Sequence, residues 1–153
     1  MSKLTVGKKA PKFKGVDQDG NKIQLSDFEG QTLAIYFYPK DNTPGCTAQA
    51  CDIRDNYKAL SKKKIAIIGV SCDDEKSHLK FIQKFDLPFP LIADTDHKIV
   101  NQFGVWVEKS MYGRNYMGIA RTTFIIDPNG IISHVIEKVD TKNHSAQIIA
   151  ALS

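Results

Sequence analysis

Leu33-Ala34-Ile35-Tyr36-Phe37-Tyr38-Pro39-Lys40-Asp41-Asn42-Thr43-Pro44-Gly45-Cys46-Thr47-Ala48-Gln49-Ala50-Cys51 is the stretch that decides how this chain is read. Its first six residues form an apolar run, the pattern of a buried strand. Residues 39–45 are dense in turn formers, so the chain leaves the strand through a loop. From Cys46 onward the residues favour a helix, expected over 46–63. One thiol thus falls where a helix begins, and Cys51 follows about a turn and a half later. A helix N-terminus offers the positive end of the helix dipole and unpaired backbone N–H groups. Both favour thiolate, the reactive form of cysteine. The stretch points to sulfur chemistry mounted on a strand–loop–helix unit.

Working outward, Ile65–Ser71 reads as a second buried strand, and 75–86 as an amphipathic helix with Leu79, Ile82, Phe85 and Phe81 inward. Pro88 and Pro90 mark an extended connection, followed by a short strand Leu91–Ala93 and a short helix His97–Phe103. Gly104–Gly118 reads as an irregular, aromatic-bearing segment. Thr122–Ile126 and Ile131–Val139 are hairpin partners across the turn Asp127-Pro128-Asn129-Gly130, and 143–152 closes the chain as a helix. Residues 1–32 read as an N-terminal appendage with a hairpin turn at Asp19-Gly20-Asn21. Alternating strands and helices followed by a hairpin predict an α/β sandwich with a mixed central sheet flanked by helices. Sites in such sheets form at the carboxyl ends of parallel strands, which is where Cys46 falls.

At 153 residues, the chain is expected to form one domain spanning 1–153. No apolar run approaches the ~20 residues of a membrane helix, and the first residues show no secretory h-region. The three cysteines, an odd number, argue against a secreted disulfide framework, so a cytoplasmic location is expected. The net charge of +4 is mild, and Lys62-Lys63-Lys64 is expected to end a helix in solvent. No arginine-rich stripe or zinc-finger spacing supports nucleic-acid binding. His78, His97, His134 and His144 are scattered, none in metal-ligand spacing with a cysteine.

The pattern Pro39-x-x-x-Thr43-Pro44-x-Cys46 resembles the active-site motif of peroxiredoxins. The Cys46–Cys51 spacing, together with Met111–Asp127 and its Arg121-Thr122-Thr123-Phe124, resembles their bacterioferritin-comigratory, or Q-type, branch. The resemblance covers roughly residues 5–150 and implies a thioredoxin-like fold with an N-terminal extension. It also implies a thioredoxin-dependent peroxidase acting on hydrogen peroxide and organic hydroperoxides. Cys46 would be the peroxidatic nucleophile, Thr43 and Arg121 its partners, Pro39 a shield, and Cys51 the resolving thiol.

The chemistry fits these roles. Arg121 stays charged and offers fixed donors to thiolate and peroxide oxygens. The Thr43 hydroxyl can donate to sulfur and accept from peroxide. The Cys46 N–H adds a preorganised donor, and Pro39, lacking an N–H, excludes water. No metal or organic cofactor is required. The product, a Cys46 sulfenic acid, condenses with a nearby thiol. Residues five apart in an ideal helix have Cα atoms roughly 8.7 Å apart, beyond the ~7 Å limit of a disulfide. The helix start is therefore expected to melt on oxidation. An intramolecular resolving thiol needs no second subunit, so a monomer is expected, with a thioredoxin-type reductant as partner.

Other residues admit two readings. Gln49 is a helix former or a site contact. Arg54 is expected to pair with Asp52 or Asp55, or to support the site. Cys72 is a structural thiol or a back-up one. Trp106, Tyr112 and Tyr116 wall the substrate entrance or pack their segment. Two competing functions use the same thiols: a disulfide oxidoreductase, and a peroxide-responsive switch.

Overall fold

A computed structural model describes residues 4–152 of the chain. Among the described residues nine strands and five α-helices, besides a short 3-10 turn of helix at Leu25–Phe28, follow in order: β1 Lys14–Val16, β2 Lys22–Gln24, β3 Thr32–Phe37, α1 Pro44–Asp55, α2 Tyr57–Lys62, β4 Ile65–Ser71, α3 Glu75–Phe85 and β5 Leu91–Ala93. Then come α4 Lys98–Gln102, β6 Trp106–Met111, β7 Arg114–Ile119, β8 Thr122–Ile126, β9 Ile132–Ile136 and α5 His144–Ala151. The central sheet has the order β5-β4-β3-β8-β9, with β3, β4 and β5 parallel and β8 antiparallel to β3. This is the expected mixed sheet flanked by helices.

The apolar run of β3 is continuous because both faces of the central strand are covered. Leu33, Ile35 and Phe37 enter one core with Phe13, Ile99, Val100 and Phe103. Ala34, Tyr36 and Tyr38 enter the other with Cys46, Ala50 and Ile53 of α1, Phe81 of α3 and Ile148 of α5. Gly69 of β4 makes room for Tyr36, since a Cβ there would lie 2.9 Å from the Tyr36 hydroxyl.

Four expectations are corrected. The described part of residues 1–32 is a cover rather than an appendage; residues 1–3 lie outside the described residues. Phe13 is fully buried, and Gly15 of β1 packs so tightly that a Cβ would sit 2.7 Å from Ile92 Cγ2. The helix expected over 46–63 begins at Pro44, whose missing N–H costs nothing at a helix start, and breaks at Asn56. There the Asn56 side chain donates to the Asp52 carbonyl at 2.9 Å. In α3 it is His78 and Phe81 that are buried, while Leu79 is exposed and off the inward stripe. Finally, the segment 104–118 contains an antiparallel hairpin, β6–β7, turning at Tyr112-Gly113 with φ of 53° and 76°. Both faces of that hairpin are largely exposed, so it carries no apolar alternation to read.

Candidate functional site

The chain leaves β3 at the carboxyl end of the parallel strands and enters α1 through residues 38–43. Thr43 is the extended N-cap, and its carbonyl accepts the first helical bond from Thr47 N–H at 2.8 Å. Pro44 has no N–H, so the N–H groups of Gly45 and Cys46 are the orphan donors of this first turn. Cys46 is buried against the second core.

Arg121, in the link between β7 and β8, reaches this helix start. Its Nη2 donates to Cys46 Sγ at 3.3 Å and its Nη1 to Gln49 Oε1 at 2.7 Å. Gly45 permits the approach, because a Cβ there would lie 3.3 Å from Nη2. The two parts of the sequence that resembled one family thus meet at a single sulfur. Gln49 is fully buried and is a site contact, fixing the guanidinium one helical turn from the thiol. Its Nε2 and the Tyr36 hydroxyl are the buried side-chain polar atoms without a partner among the described residues. Burial pushes the Tyr36 phenol well up, helped by the nearby charge of Cys46, so it stays protonated.

Thr43 differs from expectation. Its hydroxyl donates to the Lys40 carbonyl at 2.9 Å, three residues back in the loop, rather than to sulfur. That commitment leaves its lone pairs as acceptors. Pro39 is exposed at the start of the same loop. Cys51 is half-buried, and all three cysteines are free. Because Cys46 and Cys51 both lie within α1, helical geometry keeps their Cα atoms roughly 8.7 Å apart.

A buried polar cluster that the sequence did not reveal anchors the loop. Asp41 accepts from Tyr38 Oη at 2.6 Å and Ser77 Oγ at 2.8 Å, and its carboxylate lies 2.7 Å from His78 Nδ1. Asp41 N–H donates to Asp73 at 2.8 Å. His78 Nε2 faces the Ile92 carbonyl at 2.8 Å, so that nitrogen carries a proton. The four histidines do lie apart, but His78 has acidic neighbours: ligand atoms of His78, Asp41 and Asp73 lie within 4.8 Å of one another. Hydrogen bonds already engage each of these atoms, and the cluster works as a clamp on residues 38–41.

The remaining candidates fall outside the site. Arg54 pairs with Asp55 at 3.0 Å, as expected, and donates to the Phe85 carbonyl at 2.8 Å. Asp52 instead accepts from Ser145 N–H at 2.7 Å, tying α1 to α5. Cys72 is a poor nucleophile: burial and the charges of Asp94, Asp73 and Asp96 push its thiol up to about 12. Trp106 packs on His97 with ring centroids 4.4 Å apart, whereas Tyr112 stands in solvent at the hairpin tip.

Sheet order, helix placement and an arginine-backed thiol together define a thioredoxin-like protein of the thiol-redox class. The AhpC/TSA family model matches residues 6–135. Peroxiredoxin Bcp of Escherichia coli is 47% identical over 144 residues, covering 94% of this chain and 92% of that protein. A PrxQ mutant structure from Xylella fastidiosa superposes with TM-score 0.93 at 31% identity, covering 99% and 97% of the two chains. A Xanthomonas campestris bacterioferritin comigratory protein, described for its alkyl peroxide reduction activity, matches with TM-score 0.86 at 37% identity over 92% and 89%. The chain belongs to the AhpC/TSA family, in its Bcp/PrxQ peroxiredoxin branch. As such it is a peroxide-reducing thiol enzyme. Among the described residues no helix is long and apolar enough to cross a membrane.

Proposed function

We propose that this protein is an atypical two-cysteine peroxidase in which Cys46 attacks the peroxide and Cys51 resolves the product. The observation that carries the reading is the Arg121 guanidinium 3.3 Å from Cys46 Sγ at a helix start. The thiolate attacks the terminal oxygen of ROOH. An S–O bond forms, the O–O bond breaks, sulfur loses two electrons, and RO⁻ leaves to take a proton from water. Arg121 and the Cys46 N–H stabilise the charge as it moves from sulfur to oxygen. Thr43 accepts from the peroxide hydroxyl, and Pro39 covers the approach from solvent. Cys51 then displaces water from the sulfenic acid to give the Cys46–Cys51 disulfide.

That disulfide needs an external dithiol, and a thioredoxin-type protein is the reductant we assign. Both thiols sit on one chain, which fits a monomer. Free thiols fit a reducing, cytoplasmic setting. The match to a protein described for alkyl peroxide reduction supports organic hydroperoxides as substrates beside hydrogen peroxide.

A peptide map after one equivalent of hydrogen peroxide tests the scheme. Trypsin cuts after Lys40 and Arg54, placing Cys46 and Cys51 on one peptide and Cys72 on another. Rapid loss of two hydrogens within peptide 41–54 is the expected result. A cross-link through Cys72 would overturn the assignment of Cys51.

A further inference from the structure

The peptide unit between Lys40 and Asp41 is held at both edges. It is trans, so its C=O and N–H lie in one plane and point opposite ways. The Asp41 N–H donates to Asp73 Oδ2 at 2.8 Å. On the other edge, the Lys40 carbonyl accepts from the Thr43 hydroxyl at 2.9 Å. The loop doubles back between them because Asn42 takes the left-handed conformation, with φ of 59°, which Asn adopts more readily than most residues. Turning this plane would break both bonds together.

Asp73 is itself fixed. Its Oδ2 also accepts from Ser71 Oγ at 2.8 Å, and the Asp73 N–H donates to the same hydroxyl oxygen at 3.2 Å. Ser71 is fully buried and ends β4, so this acceptor is anchored to the central sheet. The Asp41 carboxylate is held separately by Tyr38, Ser77 and His78. An unbroken chain of contacts therefore runs from β4 through Ser71, Asp73 and the Lys40–Asp41 peptide to Thr43. Thr43 in turn caps the helix that carries Cys46. A hydroxyl has one proton to donate, and this arrangement commits it to the Lys40 carbonyl.

We propose that Asp73 is a positioning residue of the peroxide reaction. By holding the Asp41 N–H it turns the Lys40 carbonyl onto the Thr43 hydroxyl, and so fixes that hydroxyl as a hydrogen-bond acceptor for the peroxide. The proposal rests on Thr43 accepting from the peroxide hydroxyl. Without Asp73 the peptide plane is free to turn, and the hydroxyl with it. Peroxide then meets a rotating group in place of a preorganised acceptor.

The test compares the parent with Asp73→Ala, Asp73→Asn, Thr43→Val and the double variant Thr43→Val/Asp73→Ala. The first reading is the rate of Cys46 oxidation by hydrogen peroxide in the absence of reductant. Asp73→Ala should slow it about fivefold, the loss that goes with one neutral hydrogen bond. Asp73→Asn should restore it to within about twofold of the parent, because both bonds end on one oxygen and an amide supplies that oxygen. Both variants remove the charge that helps push the Cys72 thiol up, so a difference between them is not electrostatic. In the Thr43→Val background, Asp73→Ala should add less than about twofold, since the two residues act in series. The second reading is the reaction of Cys46 with methyl methanethiosulfonate, which has no O–H or N–H to give Thr43. Asp73→Ala should leave that rate within about twofold of the parent. The third is the set of three-bond couplings about Thr43 χ1, which should show one rotamer in the parent and in Asp73→Asn, and averaging in Asp73→Ala. An Asp73→Ala oxidation rate within about twofold of the parent would overturn the proposal. So would a further slowing on top of Thr43→Val, an equal slowing with the thiosulfonate, or a single Thr43 rotamer in Asp73→Ala. A parent protein that failed to reduce peroxide would sink the peroxidase reading, while the couplings would still decide whether Asp73 sets the Thr43 hydroxyl.

Discussion

Replacing Arg121 by alanine tests the central contact. At the observed 3.3 Å, two unit charges interact by about 5 kcal/mol at an effective dielectric near 20. That figure is an upper bound, because water entering the gap restores part of it. A hydrogen bond to a charged group contributes roughly 1.5–3 kcal/mol net. The loss should therefore fall at roughly 2–4 kcal/mol, or about 30- to 1,000-fold in rate. Quenched-flow trapping of the Cys46 sulfenic acid, without reductant, measures that step alone. Arg121 is part-exposed, so the melting temperature should move by only a few degrees. Arg121→Lys keeps the charge and loses the fork, and should fall between the two. An Arg121→Ala variant within about threefold of the parent would refute the reasoning, because the bond to sulfur alone accounts for more.

Other outcomes follow from the same geometry. Amide exchange across residues 45–54 should be faster in the Cys46–Cys51 disulfide form than in the reduced form; equal protection would refute the need for α1 to unwind. His78→Leu removes one partner of a buried pair at 2.7 Å and should cost about 3–5 kcal/mol. In a chain of this size that lowers the melting temperature by about 6–20 °C, and a calorimetric change under about 3 °C would contradict it. His144 is held below its usual range, chiefly by burial. The unfolded chain then binds the extra proton, so this residue's contribution is complete above about pH 6.5 and is lost as pH falls through and below that value. His144→Gln should flatten that slope in urea titrations, and an unchanged slope would count against it. Cys72→Ser should leave peroxide turnover unaltered and Cys72 should resist alkylation at pH 8, given a thiol near 12; prompt labelling there would contradict the structure.

What the sequence showed depended on how each segment is covered. The runs Leu33–Tyr38 and Ile65–Ser71 were legible because the central parallel strands are buried on both faces and have no polar side to interrupt them. The hairpin β6–β7 was not, because exposed residues on both faces leave no period of two. Leu79 misled because helical spacing alone does not fix which stripe turns inward. A histidine took the inward place, made tolerable by hydrogen bonds at both ring nitrogens. At the site, Cys46 and Arg121 were legible from local motifs, although 75 residues separate them. Asp41 and His78 meet only after α3 docks on the loop, so no spacing announces them. Gln49 gained its role from Arg121, a tertiary neighbour 72 residues away.

The position of the two cysteines on one helix sets a conflict between the two halves of the proposed cycle. Attack needs the first turn of α1 intact, since that turn supplies the orphan N–H groups at the sulfur. Resolution needs the same turn broken, since helical spacing holds the sulfurs apart. The helix is tied down unevenly. Its C-terminal half is fixed to the rest of the protein by Ile53 in the core, Asp52 on Ser145 N–H, and Arg54 on the Phe85 carbonyl. Its first turns are held by Ala50, by Cys46 itself, and by the Arg121 bonds to Cys46 and Gln49. Oxidation of the sulfur removes the negative charge that strengthens the Arg121 bond. The fastening that weakens is thus the one on the end that must move, while those around residues 52–54 are untouched by the chemistry.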